Sequence, residues 1–504
     1  MALGAGRGRL VRQHLLESGM LAVIGCAAGL GLGGLLARSI HLSFQTGQGP
    51  GDAFAVMFDW RVSAFAAATA LVTALICGLA PAWTGARSSV NDALKIQSRS
   101  VVGSGLGLPR LLVSVQFALS FAALVAAGLL GRSLGNLYST DLGFDGRNLS
   151  YATVNPVQAG YSPERADAYR ERLERELVAL PGVLSAAQVS HRPLDGNRFT
   201  TAINAPNGPP KMLDGGVVNP AAYALSIRGG PGFIETLGMR LLPGRTLEER
   251  DPCSPFAAAA GGDLCPVVVD ERFAEVFLRS EMPVGQRFGL NDQGDLSHEV
   301  VGVVANARYT NLREEALPMM YEPGANLVHF AIRAEIDSSA LAAAVVQAVA
   351  RVDPAVPLAE FHTQSGLIDR LLRTERLLAL VSGAFSLAAL VLAALGLGGL
   401  LAYAVARRTN EIGIRMALGA TGSEVRRMVL GDSLRMVGVG VLVGVPVAWG
   451  VGRYLESLLY GLEPIDPRTA AAALVALVAI AGIAALMPAR RAARINPLTA
   501  LREE

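Results

Sequence analysis

Six stretches of the chain carry no charged residue: 18–37, 62–86, 111–131, 377–406, 436–452 and 469–489. A hydrocarbon layer about 30 Å thick is crossed by roughly 20 apolar residues in a helix. Five of the stretches meet that length directly. The fifth in order, 436–452, reaches it if its helix starts near Met428, which puts Asp432 and Arg435 one helical turn apart, where they can pair. The pattern predicts membrane helices at about 15–37, 62–86, 105–132, 377–406, 428–452 and 469–489.

The interval 133–376 reads differently. It holds most of the acidic residues, Pro-rich turns and several short β-like runs. Ser162-Pro163-Glu164 is a helix start, with a capping side chain, Pro at the first position and then an acid. Ala166, Tyr169, Leu173, Leu177 and Leu180 follow at helical spacing, between β-like runs at 148–155 and 183–190. A second β–helix–β pattern pairs runs 328–334 and 356–361 with a helix at 338–352, whose Leu341, Val345, Ala348 and Val352 share a face. Segments 266–270 and 299–304 read as further strands. The expected fold is an α-helical bundle of six membrane helices, with a large α+β domain of two βαβ lobes and a β-rich insertion placed between helices three and four.

Charge orients this arrangement. Of the 504 residues, 51% are hydrophobic and only 17% charged, against about 25% in an ordinary soluble protein. That composition excludes a disordered chain, a disulfide scaffold and a highly charged nucleic-acid binder. If the loops are assigned to alternate sides, one side carries Arg7, Arg9, Arg12, Arg87, Lys95, Arg99, Arg110, Arg407, Arg408, Arg415, Arg426, Arg427, Arg490, Arg491, Arg494 and Arg502. The short loops of the other carry Arg38, Arg61, Arg453 and Arg468, so the bias is sixteen to four. The positive-inside rule then predicts both termini in the cytoplasm and the 133–376 domain outside, in the periplasm of a two-membrane cell. The first apolar run exceeds a signal-peptide core and lacks a clear small-residue cleavage site.

The chain repeats itself. Met1-Ala2-Leu3-Gly4-Ala5 recurs as Met416-Ala417-Leu418-Gly419-Ala420; at the same offset Arg12 meets Arg427, Leu15 meets Leu430, and Gly25 and Gly29 meet Gly440 and Gly444. Farther on, Pro81-Ala82 meets Pro488-Ala489 and Ala86-Arg87 meets Ala493-Arg494. Residues 1–104 therefore read as the tail of one unit with two membrane helices, and 105–504 as a complete four-helix unit. The expectation is an N-terminal truncation, or a misplaced start, of a protein with two complete units.

Several chemistries are excluded. A P-loop needs GxxxxGK[ST]. The chain has two lysines, Lys95 after Leu94 and Lys211 after Pro210, and neither fits. HExxH, CxxC and GxSxG are absent. Gly29, Gly31 and Gly34 spell GxGxxG, but inside a membrane helix without the strand a dinucleotide site requires. Gly25, Gly29 and Gly33 read better as a close-packing face. Deep charges of the kind that mark ion-coupled transporters are missing. No catalytic, cofactor-binding or metal-ligating residues are expected. Cys253 and Cys265 lie in the 133–376 domain, where an oxidising compartment permits a disulfide or leaves two thiols. Cys26 and Cys77 read as packing residues.

Between helices four and five runs Arg407-Arg408-Thr409-Asn410-Glu411-Ile412-Gly413-Ile414-Arg415-Met416-Ala417-Leu418-Gly419-Ala420. Ile412, Arg415 and Leu418 give a short amphipathic helix at the inner membrane face, with Gly419 as its stop. It is either a basic interfacial linker or a docking helix for a cytoplasmic partner. This segment, with "VRRMVLGDSL" after it and "PARRAARINPLTALRE" at the end, resembles permeases of the MacB/FtsX type, in the duplicated form abundant in acidobacteria. The resemblance implies an ABC permease subunit in the bacterial inner membrane, working by mechanotransmission. A separate cytoplasmic ATPase would push on Glu411, Ile412, Gly413, Arg415, Leu418 and Gly419, and the helices would relay the motion to the outer domain, which acts on an envelope substrate. It further implies contact with membrane lipid, a periplasmic adaptor or envelope protein, and self-association as a homodimer, but no cofactor and no nucleic acid. Two other readings stay open: an envelope scaffold that regulates a partner such as a cell-wall hydrolase, and a non-functional fragment.

Overall fold

A computed structural model describes residues 7–44, 60–87, 107–196, 198–210, 212–213, 217–251, 253, 264–290, 296–324, 327–464 and 466–493. The first repeat's Met1–Ala5 motif, Lys95, Lys211 and the terminal basic motif beyond Ala493 lie outside them. The chain divides into two compact units: residues 1–125, 383–451 and 467–504 in one, 126–382 and 452–466 in the other.

The first unit is helical. Its elements belong to α1 (Arg7–Phe44), α2 (Trp60–Arg87), α3 (Gly107–Tyr138), α7 (Arg373–Arg407), α8 (Thr409–Ala417), α9 (Gly422–Tyr454) and α10 (Pro467–Ala492). Five of them, α1, α3, α7, α9 and α10, are long and apolar enough to cross a membrane; in α2 the shorter stretch Trp60–Leu75 is apolar. The helices overrun the charge-free stretches at both ends, because helical hydrogen bonding continues into polar flanks where composition no longer signals it. α9 begins at Gly422, six residues before the expected start.

Small residues set the packing in this unit. A Cβ at Gly440 of α9 would sit 2.6 Å from Phe117 Cβ and 2.8 Å from the Ser114 carbonyl of α3, and one at Gly444 would sit 3.0 Å from the Ala118 carbonyl. The two backbones therefore touch. Ser114 Oγ donates to the Met436 carbonyl at 3.3 Å, and Ser120 Oγ and Ser386 Oγ bridge α3 and α7 through the carbonyls of Ala389 and Ala123. In apolar surroundings such bonds hold hydroxyls that would otherwise go unpaired. α10 buries Ala473, Leu477, Ala481, Ala485 and Ala489, one residue every four. α1 packs against α2, yet at Gly25 and Gly29 a Cβ would meet nothing within 4 Å among the described residues. The glycine face of the second copy is filled by α3; among the described residues, the matching face of the first copy is not.

The second unit is α+β. Its strands are β1 (Leu149–Val154), β2 (Val183–Val189), β3 (Thr200–Asn204), β4 (Tyr223–Gly229), β5 (Leu241–Gly244), β6 (Cys265–Asp270), β7 (Arg287–Leu290), β8 (His298–Val304), β9 (Met319–Pro323), β10 (His329–Ala334) and β11 (Leu358–Thr363), with helices α4 (Pro163–Val178), α5 (Ser338–Val352) and α6 (Gln364–Leu371). The sheet runs β9-β6-β8-β7-β3-β4-β2-β10-β1-β11, with β5 beside β8 and β9 also beside β4.

Two substructures share it. β2-β10-β1-β11 is an antiparallel sheet in which β10 lies between β1 and β2. The two expected βαβ lobes are thus one interleaved split βαβ unit, because the first strand of the second motif inserts between the strands of the first. α4 and α5 cover one face through Tyr169, Leu173, Leu177, Leu341, Val345 and Ala348. The insertion closes on itself: β4, β9, β6, β8, β7 and β3 pair in a ring. Ala224, Met320, Val267, Val300, Phe288 and Ile203, one from each ring strand, belong to a single core, which makes that core the interior of the ring.

Candidate functional site

The helix α8 follows directly on α7 and carries the segment singled out in the sequence. Ile412 is 3% exposed and anchors it, while Ile414 is 47% and Leu418 83% exposed. Glu411 Oε1 accepts from Arg415 Nη2 at 2.6 Å, one turn apart. Gly419 stops the helix at φ +102°, a conformation that favours glycine. There its amide donates to the Met416 carbonyl and that of Ala420 to the Arg415 carbonyl, the paired closure of a Schellman motif. Thr421 then opens α9 with a capping box: Glu424 N–H donates to Thr421 Oγ1 at 3.4 Å, and Thr421 N–H to Glu424 Oε2 at 3.0 Å. Gly413 is buried. Arg415, Leu418, Ala420, Glu424, Val425 and Met428 line a cleft of about 300 Å³. Two rigid helix ends thus hold an exposed leucine beside an open cleft with charges at its rim.

Above this turn Asp432 gathers three arginines. The expected i,i+3 partner Arg435 lies 3.6 Å away, Arg408 also 3.6 Å, and Arg110 at 4.0 Å. The last two come from α7's end and from α3, so the cluster ties three helices together at one level. Spacing revealed only the local pair.

In the α+β unit the structure joins Cys253 to Cys265 by a disulfide, with their Cα atoms 4.7 Å apart. Most of the loop between them lies outside the described residues. Two buried groups here gave no signal in the sequence. Asp270, wholly buried at the end of β6, accepts the Phe273 and Met319 amides through Oδ1 at 2.7 and 3.0 Å, and its Oδ2 has no hydrogen-bond partner among the described residues. Burial raises its pKa to about 7 against the pull of those two amides. Between β1, β10 and β11, Arg192 reaches Glu360 at 2.6 Å and Asp195 at 3.6 Å. His329 beside them is lowered to about 4 by burial and then by the Arg192 charge, so it stays neutral. These groups lie far apart in sequence, and no periodicity marks them.

The FtsX-like permease C-terminal family matches the chain twice, at residues 1–90 and 383–497, the two copies of the internal repeat. The pyoverdine export ATP-binding/permease protein PvdT of Pseudomonas savastanoi pv. phaseolicola is 35% identical over 145 residues, 29% of this chain and 22% of that protein. The macrolide export ATP-binding/permease protein MacB of Agrobacterium fabrum is 25% identical over 302 residues, 58% of this chain and 46% of that protein. The chain thus spans less than half the length of these relatives. Among solved structures, the periplasmic region of MacB from Actinobacillus actinomycetemcomitans aligns with 45% of the chain and 94% of its own length, at 13% identity and a TM-score of 0.28. On the two family matches and the aligned exporters, the chain is similar to permeases of the MacB/FtsX type.

Proposed function

We propose that this chain is the membrane-spanning subunit of an ABC-type export or mechanotransmission system, driven by a separate ATPase that docks on α8. The carrying observation is the exposed Leu418 at the end of an anchored helix, in a turn closed by the C-cap of α8 and the capping box of α9, beside an open cleft. A leucine held 83% exposed by two helix caps suits a partner surface better than a linker. The arginine bias supports an arrangement with that turn and both termini in the cytoplasm, the α+β domain in the periplasm, and six spans in all. Residues 1–504 contain no P-loop motif, and in this reading the nucleotide chemistry would be the partner's. ATP-driven closure of an ATPase pair would press on α8, and the rigid Gly419 turn would pass the movement to α9. The α+β domain would then act on an envelope substrate, such as a small exported compound of the kind PvdT and MacB are named for (pyoverdine, macrolides), with an adaptor or a second copy completing the assembly.

The test is co-purification of the full chain with its P-loop ATPase. Covering one leucine contributes about 1.5–3 kcal/mol, and each 1.4 kcal/mol is about tenfold in affinity. Leu418→Asp is therefore expected to lower the recovered ATPase at least tenfold, and Glu411→Ala with Arg415→Ala to lower it further, with the yield of the chain itself unchanged. Equal recovery in all variants rules out docking at α8 and leaves the envelope-scaffold reading.

A further inference from the structure

At one end of the six-strand ring, four chemically suited side chains converge. Cys265 is the first residue of β6 and His298 the first of β8, and the two stand opposite each other in the parallel ladder. Glu322 lies near the end of β9, which runs antiparallel to β6, and Cys253 reaches the same point from the preceding loop. One ligand atom from each of Cys253, Cys265, His298 and Glu322 lies within 4.8 Å of the others.

His298 is 2% and Glu322 5% exposed. His298 Nε2 and Glu322 Oε2 face each other at 3.7 Å, and neither has a hydrogen-bond partner among the described residues. Their other atoms are committed. Ser297 Oγ lies 2.9 Å from His298 Nδ1, and Ser226 Oγ donates to Glu322 Oε1 at 2.8 Å. Phe288 stacks on the imidazole at 5.5 Å. Two buried groups are thus oriented from behind, with their free atoms aimed at the cysteine pair, as supporting hydrogen bonds orient metal ligands.

We propose that this cluster is a redox-alternating zinc site: Cys253 and Cys265 either form their disulfide or, reduced, bind one Zn²⁺ together with His298 Nε2 and Glu322 Oε2. Two thiolates, an imidazole and a carboxylate form the tetrahedral donor set that zinc prefers. A disulfide sulfur is no longer a thiolate, so the two states exclude each other. In the switch, a dithiol reductant gives two electrons to the Cys253–Cys265 bond and becomes a disulfide itself, leaving two thiols. Each thiol loses its proton to solvent as it binds Zn²⁺. The Arg228 guanidinium, 3.6 Å from Glu322 Oε1, offsets the net negative charge of two thiolates and a carboxylate around a dication. In both states Cys253 and Cys265 are held together at the end of the ring, so the site would sense the redox or metal state of its compartment.

The experiment uses the full chain in detergent, reduced anaerobically with a phosphine that is then removed, with zinc chloride as the probe. The expected result is one zinc per reduced chain and none per oxidised chain. Cobalt substituted for zinc should show tetrahedral visible bands and sulfur-to-cobalt charge transfer. His298→Ala and Glu322→Gln are each expected to weaken zinc binding at least tenfold. The glutamine keeps the size of Glu322 and its Ser226 contact, so it decides the matter even if the histidine variant folds poorly. A reduced chain that takes up no zinc, equal uptake by the oxidised chain, or unchanged affinity in Glu322→Gln would each overturn the site.

Discussion

Between about pH 4 and pH 7, the stability of the α+β domain relative to its Asp270→Asn variant is expected to fall by up to about 4 kcal/mol. Burial raises the Asp270 pKa from 3.8 to about 7 in the folded chain. A raised carboxyl binds its proton more tightly folded than unfolded. Its contribution is complete below the unfolded pKa and is lost as pH rises toward the folded one. Each unit is worth 1.36 kcal/mol, and roughly three units give the figure stated. Asparagine keeps the size and an acceptor for the Phe273 and Met319 amides but cannot ionise. The wild-type profile alone would mislead, because His329, lowered to about 4, runs the other way. Its neutral form is the one that is buried, so its contribution grows over the same window. The readout is therefore the difference between the two proteins, measured as amide-exchange protection of β6 and β9 in the full chain after correction for intrinsic exchange. Parallel profiles would show that Asp270 does not titrate in this range.

Replacing Gly440 by leucine is expected to separate α3 from α9 and cost more than about 3 kcal/mol, beyond the usual 1–3 for an overpacked site. The first added carbon would lie 2.6 Å from Phe117 Cβ and 2.8 Å from the Ser114 carbonyl. Neither neighbour can rotate away, since one is the root of its side chain and the other is backbone. Moving the helices apart also breaks the Ser114–Met436 bond. The matching substitution in the first copy, Gly25→Leu, meets nothing within 4 Å among the described residues and is expected to change nothing. Thermal inactivation half-lives of the detergent-solubilised full chain separate the two. Equal half-lives would mean that the repeat's glycines do not hold the bundle.

Legibility in the sequence followed the range of the physics. The caps of α4 and α8 lie within a few residues of what they cap, so Ser162, Pro163 and Gly419 were readable. So were the buried faces of α4 and α5, because a helix repeats its face every three to four residues. The two βαβ patterns were visible too, but not their interleaving, since strand order depends on which strands meet after about 180 residues of chain have intervened. The Asp432 cluster was half legible: Arg435 is one turn away, whereas Arg408 and Arg110 arrive on other helices.

Hydropathy, charge and short-range spacing were enough to mark the apolar helices, an α+β domain between them and an internal repeat, and to show that residues 1–504 hold no P-loop motif. Charge, hydrophobic length and short-range spacing act locally and survive in one dimension. That the repeat's glycines carry a helix contact in the second copy and, among the described residues, none in the first followed from three-dimensional packing. It alone closed the insertion into a ring and brought His298 and Glu322 to the Cys253–Cys265 pair. Those four residues are scattered over some 70 positions in three strands and a loop, and strand pairing, which no local propensity encodes, is what joins them.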